Sequence, residues 1–317
     1  MFRQICFLCV LILLSGAAFA QIQTPDSAIN YFERGTKKYN QGDVDGAIKD
    51  FSQAIEISSH PAFSKPHSNR SPGANAFSDS VDEAANINII DPFTAHALTS
   101  RGLALLRKKD FEQALADFDH AIGINPGLAE AYLDRGGVRF TQGDTQGALA
   151  DWNRATQMSP KLAAAYINRG ALLIQMGNVD AAFADLDKAI ALDRKEAKAY
   201  AHRGVAWIMR RDFDRAIADF NTAIELDSRL PWIFEGRGVA RIARNELEPA
   251  IADFNRALQL DPGQAVAYVN RGLALLLQGK QTEATRDFER ALAINPDLKS
   301  ELNRSIKTTS ELRSGKQ

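Results

Sequence analysis

The chain has 317 residues, of which 45% are hydrophobic and 24% are charged, a composition typical of proteins that fold in water and unlike that of disordered chains or multi-span membrane proteins. Its 38 basic and 39 acidic residues give a formal net charge of -1, without long runs of like charge. Both features argue against a nucleic-acid partner.

Residues 1–20 have the features of a secretory signal peptide. Arg3 precedes an unbroken apolar stretch at positions 5–14, and a small-x-small motif ends at Ala20. As a helix, this stretch would span about 15 Å, half of the roughly 30 Å hydrocarbon core of a bilayer. We therefore expect cleavage near Ala20 in preference to a permanent anchor, and a periplasmic or secreted mature chain without a membrane span.

The remaining sequence is organised by a tandem repeat. The dipeptide Arg-Gly occurs seven times, and from Gly102 onwards its glycine recurs at the evenly spaced positions 136, 170, 204, 238 and 272. Alanine follows each glycine after twelve and after nineteen residues, and a bulky apolar residue lies between the two alanines. The bulky residues are Phe51, Phe118, Trp152, Leu186, Phe220, Phe254 and Phe288.

Each copy of the repeat predicts a helical hairpin, because apolar residues at helical spacing flank a short turn that contains Gly, Asp or Asn. Glycine within a helix costs roughly 1 kcal/mol relative to alanine, so its recurrence requires a steric reason. We expect the paired helix to press against the glycine, with the alanines permitting the contact and the bulky residue filling the space around it. A single hairpin cannot bury both of its faces, so the copies must stack.

The period and the order of these residues resemble the tetratricopeptide repeat family, whose period is about 34 residues. The resemblance covers residues 26–57, as one repeat, and residues 95–296, as six consecutive repeats. It implies an all-α fold, a right-handed superhelical solenoid of antiparallel helix hairpins. One departure is consistent along the chain: arginine precedes the glycine where the family usually has leucine.

An aspartate follows each of these arginines after sixteen residues. The two positions are about equally far from the turn of the hairpin, which predicts ion pairs between paired helices or adjacent repeats. The alternative is a row of arginines that binds anions, but every arginine has a matched counter-charge. Besides Arg34 and Asp50, the pairs are Arg101–Asp117, Arg135–Asp151, Arg169–Asp185, Arg203–Asp219, Arg237–Asp253 and Arg271–Asp287.

Residues 58–92 interrupt the array with Pro61, Pro66 and Pro72 among serines and asparagines, and no helix fits their first half. In the second half, Ser80 and Glu83 have the spacing of a capping box, and Pro92 lies one period before Pro126. We interpret this segment as an insertion or as an eroded repeat that retains part of its second helix. A binding or regulatory role for it is an open alternative.

The array ends with a predicted capping helix over residues 297–312, because Leu298, Leu302 and Ile306 form one apolar stripe. We expect residues 313–317 to be disordered.

The sequence offers no support for catalysis, a cofactor or a metal. Both cysteines, Cys6 and Cys9, lie within the signal segment, so the mature chain should have no thiol. No phosphate-binding glycine loop is present, and the histidines lack metal-ligand spacing. These histidines are His60, His67, His96, His120 and His202.

In the resembling family, the first helices of the hairpins line a concave groove that receives peptides or helices. The corresponding positions here are mostly apolar and would suit an amphipathic helix or an apolar peptide, although several could belong to the hairpin core. They are Leu103, Leu106, Leu133, Phe140, Ile167, Ile174, Val205, Ile208, Trp232, Val239, Ile242, Val269 and Leu273.

The sequence thus predicts a non-catalytic protein–protein interaction scaffold of the cell envelope. One alternative is a self-associating solenoid whose apolar strip is a homo-oligomer interface. Another is an accessory subunit of an envelope complex for secretion, polysaccharide export or wall remodelling.

Overall fold

A computed structural model describes residues 25–59 and 92–313, and within these ranges the chain forms fifteen α-helices and no strand. The helices fall into two compact units. The unit that ends at Pro160 contains α1 (Pro25–Gln41), α2 (Val44–Ser58), α3 (Pro92–Arg107), α4 (Phe111–Ile124), α5 (Ala129–Thr141) and α6 (Thr145–Met158).

The second unit begins at Lys161 and consists of four hairpins and one additional helix. A 3-10 turn, Pro296–Leu298, precedes the additional helix. The helices are α7 (Ala163–Gln175), α8 (Val179–Leu192), α9 (Ala197–Met209), α10 (Phe213–Leu226), α11 (Pro231–Ala243), α12 (Leu247–Leu260), α13 (Ala265–Leu277), α14 (Gln281–Ile294) and α15 (Lys299–Arg313).

Within each unit the hairpins stack on one another. Every odd-numbered helix up to α13 packs against the even-numbered helix that follows it. In each unit, an even-numbered helix also packs against the next odd-numbered helix, and consecutive odd-numbered helices contact each other. The odd-numbered helices therefore form a continuous wall in each unit. The prediction of an all-α solenoid of helix hairpins is confirmed.

The close contact predicted at the repeated glycine is also confirmed. A Cβ atom on any of the seven glycines would lie between 2.5 and 3.0 Å from the bulky residue sixteen positions later. At Gly102, for example, the distance to Cε1 of Phe118 would be 2.7 Å, and Phe118 is completely buried. The repeated alanines are at most 1% exposed. Glycine and alanine thus let the two helices approach closely around one large side chain.

Every hairpin turns at the residue seven positions after this glycine, where the backbone is left-handed. Gly143 has φ 86° at this position, and the larger Lys109 adopts φ 62° at the equivalent one. Asp144 then accepts a hydrogen bond from the backbone N–H of Gly147 and caps α6. The turn therefore provides hydrogen-bond partners for the backbone at the end of one helix and at the start of the next.

The segment at 58–92 does not separate the first repeat from the second, because α2 packs directly against α3. Two hydrogen bonds join these helices: Thr94 Oγ1 donates to Ser58 Oγ at 2.8 Å, and Arg101 Nη1 donates to Ser52 Oγ at 3.1 Å. The stacking is therefore continuous across the interruption. The predicted signal peptide, the predicted remnant helix and the end of the predicted tail lie outside the described residues.

The helix α15 occupies the place of a further first helix. Leu302, which is 3% exposed, lies one repeat period after Tyr268 and joins the core cluster of the last hairpin. Ile306 lies one repeat period after Gly272, so a branched side chain replaces the repeated glycine. Because the glycine is where a second helix would approach, Ile306 leaves no room for such a helix against α15.

Candidate functional site

The structure brings each predicted arginine and aspartate together within one hairpin. Arg135 is representative: its Nε and Nη2 donate to the two carboxylate oxygens of Asp151 at 2.9 and 2.6 Å. All seven aspartates are between 1% and 7% exposed. The pairs are bidentate, and they are buried within the hairpins, as a structural role requires.

A further donor of the arginine reaches the preceding repeat, which the sequence analysis missed. Arg135 Nη1 donates to Asp119 at 2.6 Å, and Arg237 Nη1 donates to Asn221 at 2.6 Å. The acceptor lies two residues after the paired aspartate of the preceding repeat. Small polar residues recur at this position, so alignment of the repeats could have revealed it. Each such arginine therefore joins two hairpins.

Two aspartates receive a second arginine. Arg139 Nη1 donates to Asp151 at 2.9 Å, and Arg241 Nη1 donates to Asp253 at 2.6 Å. These guanidinium groups are occupied by carboxylates, which weakens the alternative of an anion-binding row.

We call one surface the inner face: the part of the odd-numbered helices that the even-numbered helices leave uncovered. In the first unit it contains four of the predicted groove residues. All four are partly buried. Leu103 and Leu106 pack against the cluster around Phe118, and the ring of Phe140 lies 5.9 Å from that of Trp152. These residues therefore contribute to the hairpin core as well as to the inner face.

In the second unit, two of the nine predicted groove residues are almost wholly buried. Ile167 is 4% exposed and Ile174 is 8% exposed, and both belong to core clusters. They support the wall and present little surface to a partner. The other seven are partly buried: Val205, Ile208, Trp232, Val239, Ile242, Val269 and Leu273.

The most exposed large apolar side chains of these inner helices are Met209 on α9 and Val266 on α13. They are 46% and 52% exposed, respectively. The predicted row omitted Val266, although it lies one repeat period after Trp232 and so occupies the same place in the next repeat. Each of them leaves about half of an apolar side chain open to solvent on the inner face of the second unit.

A polar group interrupts this apolar surface. The ring of His202 on α9 stacks on Trp232 on α11, with centroids 4.9 Å apart and planes inclined by 28°. Glu235 lies three residues after Trp232 and has one carboxylate oxygen, Oε1, that is buried without a hydrogen-bond partner among the described residues. Burial of the carboxyl raises the pKa of Glu235, and the negative charge of Asp261 raises it further.

Burial also shifts two other ionisable groups of the inner helices. Burial and the charge of Lys198 lower the pKa of His202 to about 4, so its imidazole is neutral near pH 7. In the first unit, burial and the charge of Glu130 raise the pKa of Asp134 to about 7.

Within the described ranges, no cluster of three or more His, Cys, Asp or Glu side chains could hold a metal ion. None of the helices in these ranges combines the length and the apolar character needed to cross a bilayer.

Comparison with protein-family models gives matches along most of the chain. A model described as "Tetratricopeptide repeat" matches residues 73–129, 101–163, 133–197 and 167–231. A model described as "TPR repeat" matches residues 240–279, and another described as "Tetratricopeptide repeat" matches residues 265–298. No curated protein sequence matched the chain.

Solved structures of similar fold include a tetratricopeptide repeat protein from Parabacteroides merdae. It is 23% identical, with a TM-score of 0.59, and the match covers 90% of this chain and 99% of that one. The structure of pilF from Pseudomonas aeruginosa is 18% identical, with a TM-score of 0.56, over 64% of this chain and 92% of that one. At these identities, the similarity establishes the shared fold.

Proposed function

Because the chain belongs to the tetratricopeptide repeat family, we propose that it binds a protein partner through its inner face and has no catalytic role of its own. The repeats indicate an interaction scaffold for peptides or proteins. The observation that carries the proposal is the exposure of Met209 and Val266 on inner helices, beside a row of partly buried apolar residues. Covering such a surface with a partner favours binding by about 25 cal/mol per Å² of apolar area removed from water.

The partner that fits this surface is an apolar or amphipathic segment, in a helical or extended conformation. Except for Glu235 and Lys198, the inner positions from α9 to α13 carry few charges. An amphipathic helix or peptide would place its apolar side chains against this face and keep its polar side in water.

Glutamate at Met209 and Val266 should abolish partner capture and leave the fold intact, because both side chains are about half exposed. The wild-type protein and the Met209→Glu, Val266→Glu double variant are compared by crosslinked pull-down from the envelope fraction of the source cells. A specific partner should disappear from the double variant, with a loss of affinity of at least about tenfold, equivalent to about 1.4 kcal/mol.

The matched control is Leu226→Glu, which introduces the same charge at a 38% exposed leucine on the outer helix α10. It should capture the same partner as the wild-type protein, and all three proteins should have the same circular dichroism spectrum. Equal capture by the double variant and the control would contradict the inner face as the site. If the captured partner is a second copy of the chain, light scattering will show a dimer that only the double variant loses.

We place this scaffold in the cell envelope, as a periplasmic or secreted protein, on the basis of residues 1–20. Expression of the full chain in a bacterial host should give a periplasmic product whose amino-terminal residue is Gln21, as determined by amino-terminal sequencing. Ala20→Lys should leave the precursor uncleaved, whereas Cys6→Ser should leave cleavage unchanged. A cytoplasmic product that retains Arg3 would contradict export.

A further inference from the structure

We propose that the inner face of the second unit selects a protein segment that places an arginine or lysine side chain against Trp232 and Glu235, between apolar neighbours. The inference rests on the proposed function, since it names the chemistry of the partner that the same face would bind.

Trp232 and Glu235 are three residues apart on α11, so their side chains are neighbours on one side of the helix. His202, from the preceding inner helix, stacks on the ring of Trp232. An aromatic platform and a carboxylate therefore lie side by side among inner positions that are mostly apolar.

Two buried oxygen atoms of this region lack hydrogen-bond donors. Glu235 Oε1 and Gln264 Oε1 are both buried, and the described part of the chain supplies neither oxygen with a donor. Gln264 lies in the short connection between α12 and α13, together with Asp261, whose charge acts on Glu235. A buried acceptor without a donor is costly, and a second carboxylate nearby adds repulsion. A basic side chain supplies donors and a counter-charge together.

The aromatic platform also favours a cation. A guanidinium or ammonium group is attracted to the face of an aromatic ring, most strongly to that of tryptophan. The neutral imidazole of His202 does not oppose a cation. The positive charge of Lys198 acts on His202 and would oppose a cation there, but it also acts on Asp227, where it helps to lower the pKa of that carboxyl.

The chain already uses this arrangement within its own hairpins. The guanidinium of Arg237 lies over the ring of Phe234, 5.7 Å from its centroid, and binds Asp253 at 2.6 Å. An arginine between a ring and a carboxylate is thus a stable arrangement in this fold. On the inner face, the ring and the carboxylate are present and the cation would come from the partner.

The neighbouring inner helices determine which residues should flank the cation. Met209 on α9 and Val266 on α13 are exposed on the inner helices to either side of α11. A segment that crosses these helices would meet an apolar surface, then Trp232 and Glu235, and then an apolar surface again. An acidic segment would be repelled by Glu235, so the charge selects between apolar partners.

The probe is a displayed library of random dodecapeptides. It is selected for binding to the purified protein, and peptides that also bind the Met209→Glu, Val266→Glu variant are removed by counter-selection. The retained peptides should be enriched in arginine or lysine flanked by apolar residues. One of them is synthesised with arginine and with citrulline, a neutral isostere. Citrulline should weaken binding about 10- to 100-fold, the range expected for a charge-assisted hydrogen bond.

Glu235→Gln should weaken binding of the arginine peptide by a similar factor and should abolish the difference between arginine and citrulline. Glu225→Gln, the same substitution at an exposed position on the outer helix α10, should change neither affinity. Trp232→Leu should weaken binding of the arginine peptide more than binding of the citrulline peptide.

Three other outcomes would overturn the inference in distinguishable ways. In the first, binding of the selected peptides depends on Met209 and Val266 and yet is equally tight with citrulline, or equally tight to the Glu235→Gln variant. That result would refute the preference for a cation and would not contradict the proposed function. Enrichment of acidic peptides would refute the charge preference alone. A selection that yields no peptide dependent on Met209 and Val266 would refute both proposals.

Discussion

Asp151→Asn should lower the free energy of unfolding by about 3 to 5 kcal/mol, because it removes the buried carboxylate that the partly buried Arg135 and Arg139 share. The side chain of Asp151 is 3% exposed, and it accepts hydrogen bonds from Arg135 and Arg139. Urea unfolding followed by circular dichroism measures the change, with hydrogen exchange of α5 and α6 to locate it.

A matched control comes from the same arginine. Asp119 also binds Arg135, at 2.6 Å, but its side chain is 57% exposed. Asp119→Asn should therefore cost less than about 1 kcal/mol, as exposed ion pairs generally do. Similar losses from the two substitutions would show that burial does not govern the strength of these pairs. The double variant Arg135→Met, Asp151→Leu should recover part of the loss, because it removes the unpaired charge of Arg135.

The second large effect is expected at two adjacent glycines of α5. Gly136→Ala should lower the free energy of unfolding by about 1 to 3 kcal/mol, because the added Cβ would lie 2.6 Å from Nε1 of Trp152. That indole nitrogen donates to the carbonyl oxygen of Leu133 at 3.1 Å, which restrains the ring from moving aside. Thermal unfolding of the variants measures the effect.

Gly137→Ala should instead raise the free energy of unfolding by up to about 1 kcal/mol. A Cβ at Gly137 meets no atom within 4 Å, so only the higher helix propensity of alanine acts there. If both substitutions stabilised the protein, the close contact between α5 and α6 would not explain the repeated glycine. The cost of Gly136→Ala should also shrink in a Trp152→Leu background, since Gly170 faces Leu186 at a less crowded 3.0 Å.

The hairpins were predictable from sequence because their main contact requires particular residue types at a fixed spacing. A glycine and a bulky residue sixteen positions later identify two helices that touch, and the interval repeats seven times. The left-handed turn was harder to recognise, since Lys109 adopts there the backbone conformation that glycine has in other repeats. The stability of the hairpin, not the preference of lysine, imposes that conformation.

The depth of each inner residue could not be predicted, because periodicity gives the direction of a side chain and not what covers it. Ile174 and Ile208 occupy the same place in successive repeats, yet Ile174 is 8% exposed and Ile208 is only partly buried. Ile174 shares a cluster with Phe183, whose ring lies 4.4 Å from that of Trp207. Neither aromatic is part of the repeated pattern. The unpaired oxygen of Glu235 is likewise a property of tertiary packing.

The arginine that joins two hairpins has a consequence for how such a chain can change in length over evolution. Each of these arginines carries the donors for its own hairpin and for the one before, as Arg237 does with Asp253 and Asn221. A duplicated repeat inserted between two others would therefore find compatible partners on both sides without further mutation. At Ile306 a branched side chain replaces the glycine, so α15 lacks the space that admits a second helix in the other repeats. Gene duplication can thus lengthen this array most readily between its existing hairpins.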